Sequence, residues 1–126
     1  MKLLDNLKKE VLNNKKTMKK VNFEVLPPDI ELPSVITNVY ERDDEKIVVE
    51  FTIVYNGNTQ KKTRMFGGNY GKELLSNLLK CAGISDVNDI VGKYSYIKLI
   101  NNEQYTNIEV VQFIDEDEFM EVIEGD

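Results

Sequence analysis

Residues 46–66 read Lys46-Ile47-Val48-Val49-Glu50-Phe51-Thr52-Ile53-Val54-Tyr55-Asn56-Gly57-Asn58-Thr59-Gln60-Lys61-Lys62-Thr63-Arg64-Met65-Phe66. Ile47, Val49, Phe51, Ile53 and Tyr55 alternate onto one face, with Lys46, Glu50 and Thr52 on the other. That period of two marks a strand with one buried face. Asn56-Gly57 follows, and both residue types tolerate the positive φ at the centre of a two-residue hairpin turn. Residues 59–66 therefore return as the partner strand, and the fold is read outward from this hairpin.

Upstream, residues 35–41 form another strand, closed by the charged turn Arg42-Asp43-Asp44-Glu45. Residues 21–34 are an extended connector in which Pro27, Pro28 and Pro33 exclude a helix. Within the basic head, residues 1–20, Leu4, Leu7, Val11 and Met18 place an apolar stripe on an amphipathic helix. Downstream, Leu74, Leu75, Leu78, Leu79 and Ala82 predict a helix over 71–82 with Gly83 as its stop. Cys81 falls in this apolar pattern and is expected to be a buried thiol. Ser85 to Gly92 reads as a capped short helical turn, and strands over 94–100 and 105–114 flank a turn at 101–104. Residues 115–126 form an acidic tail, expected to be too charged to fold by itself and to add little stability.

The barrel domain thus spans 35–114 and is mainly β with one inserted helix. Its order is strand, strand, strand, helix, strand, strand. The OB-fold, a five-stranded Greek-key barrel that binds oligonucleotides and oligosaccharides, has this order. An α+β sheet with the helix on one face shares it and stays open.

The chain has 126 residues, 41% hydrophobic and 30% charged, which is the composition of one globular domain. It contains no histidine, and Cys81 is its one cysteine. The usual zinc sites and the Ser-His and Cys-His nucleophile pairs cannot be assembled from that set. The glycine stretch Gly67-Gly68-Asn69-Tyr70-Gly71 lacks the lysine-hydroxyl ending of a phosphate-binding P-loop. The expectation is a binding protein, with no catalytic residue, metal or cofactor. The apolar runs are too short to span a bilayer, and the opening residues hold no continuous apolar segment. A cytoplasmic chain with no membrane partner is therefore expected.

Charge is unevenly spread. Residues 1–20 carry seven lysines against Asp5 and Glu10, for +5; residues 115–126 carry −7; the total is −6, leaving −4 on the body. This asymmetry admits a polyanionic ligand at the basic regions, or a protein partner at the tail or head.

The run Glu73-Leu74-Leu75 through Leu79-Lys80-Cys81-Ala82-Gly83-Ile84 is followed by an acidic stretch. Asp89-Ile90-Val91-Gly92-Lys93 then leads into a strand. These residues resemble the small phage-encoded single-stranded-DNA-binding proteins of Gram-positive hosts. In that family a leucine-rich helix ending in an Ala-Gly turn precedes an acidic-x-hydrophobic-Gly-Lys motif and a closing hairpin. The resemblance runs from Val35 to Phe113, about two-thirds of the chain. It implies an OB-like fold and a phage or mobile-element protein that coats single strands during replication or recombination in the bacterial cytoplasm. The basic head has no counterpart in the pattern. The chain ends Ile123-Glu124-Gly125-Asp126 rather than on the terminal apolar residue common in such tails.

Single-strand binders combine a positive groove with aromatic rings that stack on bases. Lys62, Arg64 and Phe66 alternate onto one face of the third strand, with Lys61 opposite, and Tyr94, Tyr96 and Lys98 share a face of the fourth. These seven are the candidate nucleic-acid-binding residues. Tyr94 and Tyr96 read equally well as rings that finish a core. Tyr55 is read as core, and Tyr40, Tyr70 and Tyr105 as loop-end rings able to stack or to pack a turn. The acids of the first turn, and Glu103 in the last, oppose phosphate binding. A protein-binding module, such as an inhibitor or adaptor, is the alternative reading.

Overall fold

The computed structural model describes residues 26–101 and 106–124. The basic head, Tyr105 and the turn at 102–104 lie outside the described residues. Five strands form one antiparallel sheet: β1 (Leu32–Glu41), β2 (Ile47–Tyr55), β3 (Asn58–Phe66), β4 (Tyr94–Asn101) and β5 (Thr106–Ile114). Their order across the sheet is β3-β2-β1-β4-β5. Helix α1 (Gly68–Ala82) and a 3-10 turn (Val87–Ile90) connect β3 to β4, and helix α2 (Glu116–Glu124) follows β5. The protein is therefore mainly β with a helix inserted after the third strand, as its order predicts.

The hairpin forms as read. Asn56 and Gly57 both take positive φ, 52° and 76°, and β2 pairs with β3 without a slip from Tyr55↔Asn58 to Ile47↔Phe66. β1 begins at Leu32, inside the expected connector, because Pro33 lies opposite Tyr96 and Leu32 opposite Ile97 on β4. β1 carries a bulge between Ile36 and Asn38.

One face of the sheet, here called inner, buries Leu32, Ile36, Val49, Phe51, Ile53, Phe66, Ile97, Leu99 and Ile108 together with Leu75 of α1 and Ile90 of the 3-10 turn. α1 reaches this core through a close approach at Gly71, whose backbone lies against Phe66. A Cβ there would meet the Phe66 carbonyl carbon at 3.0 Å. The helix ends at Ala82, where the Gly83 and Ile84 amides donate back to the Lys80 and Leu79 carbonyls. Cys81 is exposed, contrary to the expectation of a buried thiol. The helical rotation carries it past the edge of the stripe that buries Leu75.

β2 departs from a simple one-sided strand, since Val48, Thr52 and Val54 on its outer face are buried as well. Val54 joins Val35 and Phe119 in a second core, with Tyr94, Ile114, Met120 and Ile123 packed around it. This core corrects the expectation for residues 115–126. Glu116–Glu124 form a helix whose Phe119 is fully buried, with its ring centroid 4.5 Å from that of Tyr94. The buried hydroxyl of Thr52 is satisfied in a chain. Thr37 donates its one proton to Glu50 Oε1 at 2.7 Å, so Thr52, 3.0 Å from Thr37 Oγ1, is the donor of the next bond.

Helix α2 therefore carries stability. Phe119→Ala removes a fully buried ring and is expected to cost about 3–5 kcal/mol in urea unfolding. Asp117→Ala, on the exposed side of the same helix, should stay within about 0.5 kcal/mol of the parent.

Candidate nucleic-acid interface

The cross-strand register decides where each candidate residue faces. Lys62 lies opposite Phe51, Arg64 opposite Val49 and Phe66 opposite Ile47, so these three share the inner side. Tyr94 lies opposite Val35 and Tyr96 opposite Pro33, on the outer side with Phe119. The seven candidates are thus divided between two faces and do not make one platform.

Each has its own surroundings. Phe66 is a core ring, 4% exposed, and is not presented to solvent. Arg64 is half-buried; its guanidinium lies 4.8 Å over the Phe66 ring and donates to the Ile108 carbonyl at 2.6 Å. It thereby ties edge strand β3 to edge strand β5. Loss of hydration lowers the Arg64 pKa, while the nearby Glu109 carboxylate and Tyr70 phenol favour its charge. Lys61 and Lys62 are exposed. Lys98 is half-buried, with Glu109 directly across the β4–β5 pair.

The outer face of β4 is an acidic environment. Tyr96 lines an open concavity with Asp115, Asp117, Glu118, Glu121 and Val122. Loss of hydration raises its phenol pKa first, followed by a hydrogen bond to Glu118 and the charges of Glu118, Glu31 and Glu121. The Tyr94 phenol is also raised, by burial and then by Glu116. Tyr94 packs against Phe119, which supports the core-finishing alternative for that ring.

β3 itself is different, although Glu50 of β2 lies opposite Thr63 on the outer side. Over Asn58–Phe66 the strand holds Lys61, Lys62 and Arg64 and no acid. Three of the large exposed apolar side chains lie near it: Tyr40 (46% exposed), Met65 (50%) and Tyr70 (74%). Tyr40 and Met65 flank Val48 in one row across β1, β2 and β3 on the outer face. Arg42 reaches the Met65 sulfur at 2.7 Å. Tyr70 stands in the first turn of α1, next to Gly71, whose backbone lies against Phe66 at the end of β3. Tyr40 and Tyr70 belong to this grouping, which their positions near loop ends do not signal in the sequence. Met65 was detectable as the next outer position after Lys61 and Thr63. The acidic first turn is partly offset, because Asp44 sits 3.3 Å from Arg42 and 3.5 Å from Lys46.

No protein-family model matches the chain, and a search of curated proteins finds no match. Among the described residues, no three His, Cys, Asp or Glu side chains gather in an arrangement able to hold a metal ion. No helix there is long and apolar enough to cross a membrane.

Two stability measurements follow from this geometry. Arg64→Ala removes a charged hydrogen bond and should cost about 1.5–3 kcal/mol, while Lys62→Ala should stay within about 0.5 kcal/mol; urea unfolding separates them. The second concerns alkali. The folded state holds the Tyr94 proton more tightly than the unfolded chain does, so this contribution is complete below the ordinary value of 10.0. It is lost as pH rises from there through the raised folded pKa. Stability should decline over that window in step with tyrosinate absorbance, and less so in Tyr94→Phe.

Proposed function

We propose that the chain is a non-catalytic single-stranded-DNA-binding protein whose ligand runs along β3. The observation that carries this reading is the acid-free cationic edge strand with Tyr40, Met65 and Tyr70 exposed beside it. Phosphates need cations and bases need accessible flat or polarizable surfaces, and β3 brings the two together. Lys61 and Lys62 track the backbone, joined by Arg42, and Arg64 lends charge from its structural position. The supporting fold is an OB-like barrel. Sheet order, the helix after β3 and the Arg64 bond that draws β3 toward β5 all favour a sheet curled on itself, and the β2–β3 face is where that fold binds oligonucleotides. With the resemblance of Glu73–Lys93, this suggests a phage or mobile-element protein of the bacterial cytoplasm acting in replication or recombination. Tyr94, Tyr96 and Phe66 fall outside the proposed site.

A second reading rests on a different surface. The carboxylates around Tyr96 would suit a basic protein partner, as in an inhibitor or adaptor.

Fluorescence titration of labelled oligo-dT across a salt series tests the first reading. Binding should weaken steeply with salt, and Lys61→Ala combined with Lys62→Ala should flatten the log–log slope by roughly 0.7 per lost contact. Absence of binding at low salt would overturn it and leave the acidic surface as the better candidate.

A further inference from the structure

The candidate rings near β3 stand on both sides of the sheet edge, and this constrains how a ligand could lie. Lys61 and Lys62 are successive residues of an extended strand, so their side chains project to opposite faces. The register agrees: Lys61 lies opposite Thr52 on the outer side, and Lys62 opposite Phe51 on the inner side. Outside, the row beyond Lys61 leads through Thr63 to Met65 and Tyr40. On the inner side Lys62 leads to Arg64 and Phe66, and Tyr70 is the exposed ring of the helix turn whose Gly71 backbone lies against Phe66. Each side of the edge therefore pairs an exposed lysine with an exposed aromatic ring.

We infer that a single strand straddles the β3 edge, its phosphates crossing at Lys61 and Lys62, with one base stacked on Tyr40 and Met65 and another on Tyr70. This deepens the proposed function and rests on it. A ligand held this way must have bases free to part, because the strand edge separates the two stacking positions. A Watson–Crick duplex cannot splay its bases around a strand edge without unpairing. The site thus selects single strands by topology, with no base-edge hydrogen bond required, and it is bivalent: a strand long enough to reach both rings gains from both, whereas a short one occupies either.

Tyr70→Ala and Tyr40→Ala, tested on oligo-dT of about 4 and about 16 nucleotides (the range of site sizes for such domains), distinguish the possibilities. Both side chains are substantially exposed, so the variants should melt with the parent. On the longer oligonucleotide each substitution should weaken binding roughly five- to hundredfold, the equivalent of one stacked base. On the shorter one each should cost no more than about twofold, because the other ring remains. Blunt duplex should bind far more weakly than the longer single strand. If Tyr70→Ala leaves the longer oligonucleotide unaffected while Tyr40→Ala weakens it, the straddle is overturned and single-strand binding on the outer face survives. If both variants match the parent on both lengths, the straddle fails as well. If the parent binds neither oligonucleotide, the underlying functional reading fails with it.

Discussion

The two-residue turn at Asn56-Gly57 sets the register on which the rest of the molecule depends. It aligns nine consecutive pairs between β2 and β3 without a bulge. A slip of one residue would exchange the two faces of β3. Phe66 would leave the inner core and Met65 would enter it, and Arg64 would turn away from the Ile108 carbonyl. That bond is the described link by which edge strand β3 holds edge strand β5. The same turn therefore governs core composition, the approach of the sheet edges and the division of cations between the faces.

The outer face poses a separate problem. Val35 and Val54 there are apolar, and an uncovered pair on a sheet face would cost solvation. α2 provides the cover through Phe119, Met120 and Ile123, while its acids remain on the solvent side. Composition alone hides this, because a nine-residue helix with five acids looks like a solvated tail. The spacing of Phe119, Met120 and Ile123 carries the signal: three apolar positions on one helical face following directly on a strand.

The hairpin, the inserted helix, its stop at Gly83 and the short helical turn before β4 were legible because each is encoded locally by periodicity and turn chemistry. The start of β1 was not, since the prolines mark residues 21–34 as extended without showing that β4 pairs with Leu32 and Pro33. The exposure of Cys81 was not legible, because the stripe of Leu74, Leu75, Leu78, Leu79 and Ala82 does not reveal where its edge falls. For the candidate site residues, facing was legible within each strand and not between strands. Alternation correctly grouped Lys62 with Arg64 and Phe66, and Tyr94 with Tyr96 and Lys98, but the relative facing of two strands that do not pair is a tertiary fact. Only the register through β2 and β1 shows that the groups lie back to back.

A net charge of −6 by itself opposes a polyanionic ligand, yet the relevant quantity is the field at β3 rather than the total. At physiological ionic strength charges more than about 8 Å apart through solvent are largely screened. In the proposed complex the lysines would therefore act on the phosphates that touch them, while the carboxylates around Tyr96 lie by β4, separated from β3 by β2 and β1. Two effects of salt then oppose one another in the proposed complex. Adding salt weakens the lysine–phosphate contacts, but it also relieves the long-range repulsion between an acidic protein and DNA that slows their encounter. The measured salt slope should accordingly fall below the number of phosphate contacts, with the difference residing in the association rate. Stacking at Tyr40 and Tyr70 is insensitive to both effects, so at high salt the rings would supply a growing share of whatever affinity remains.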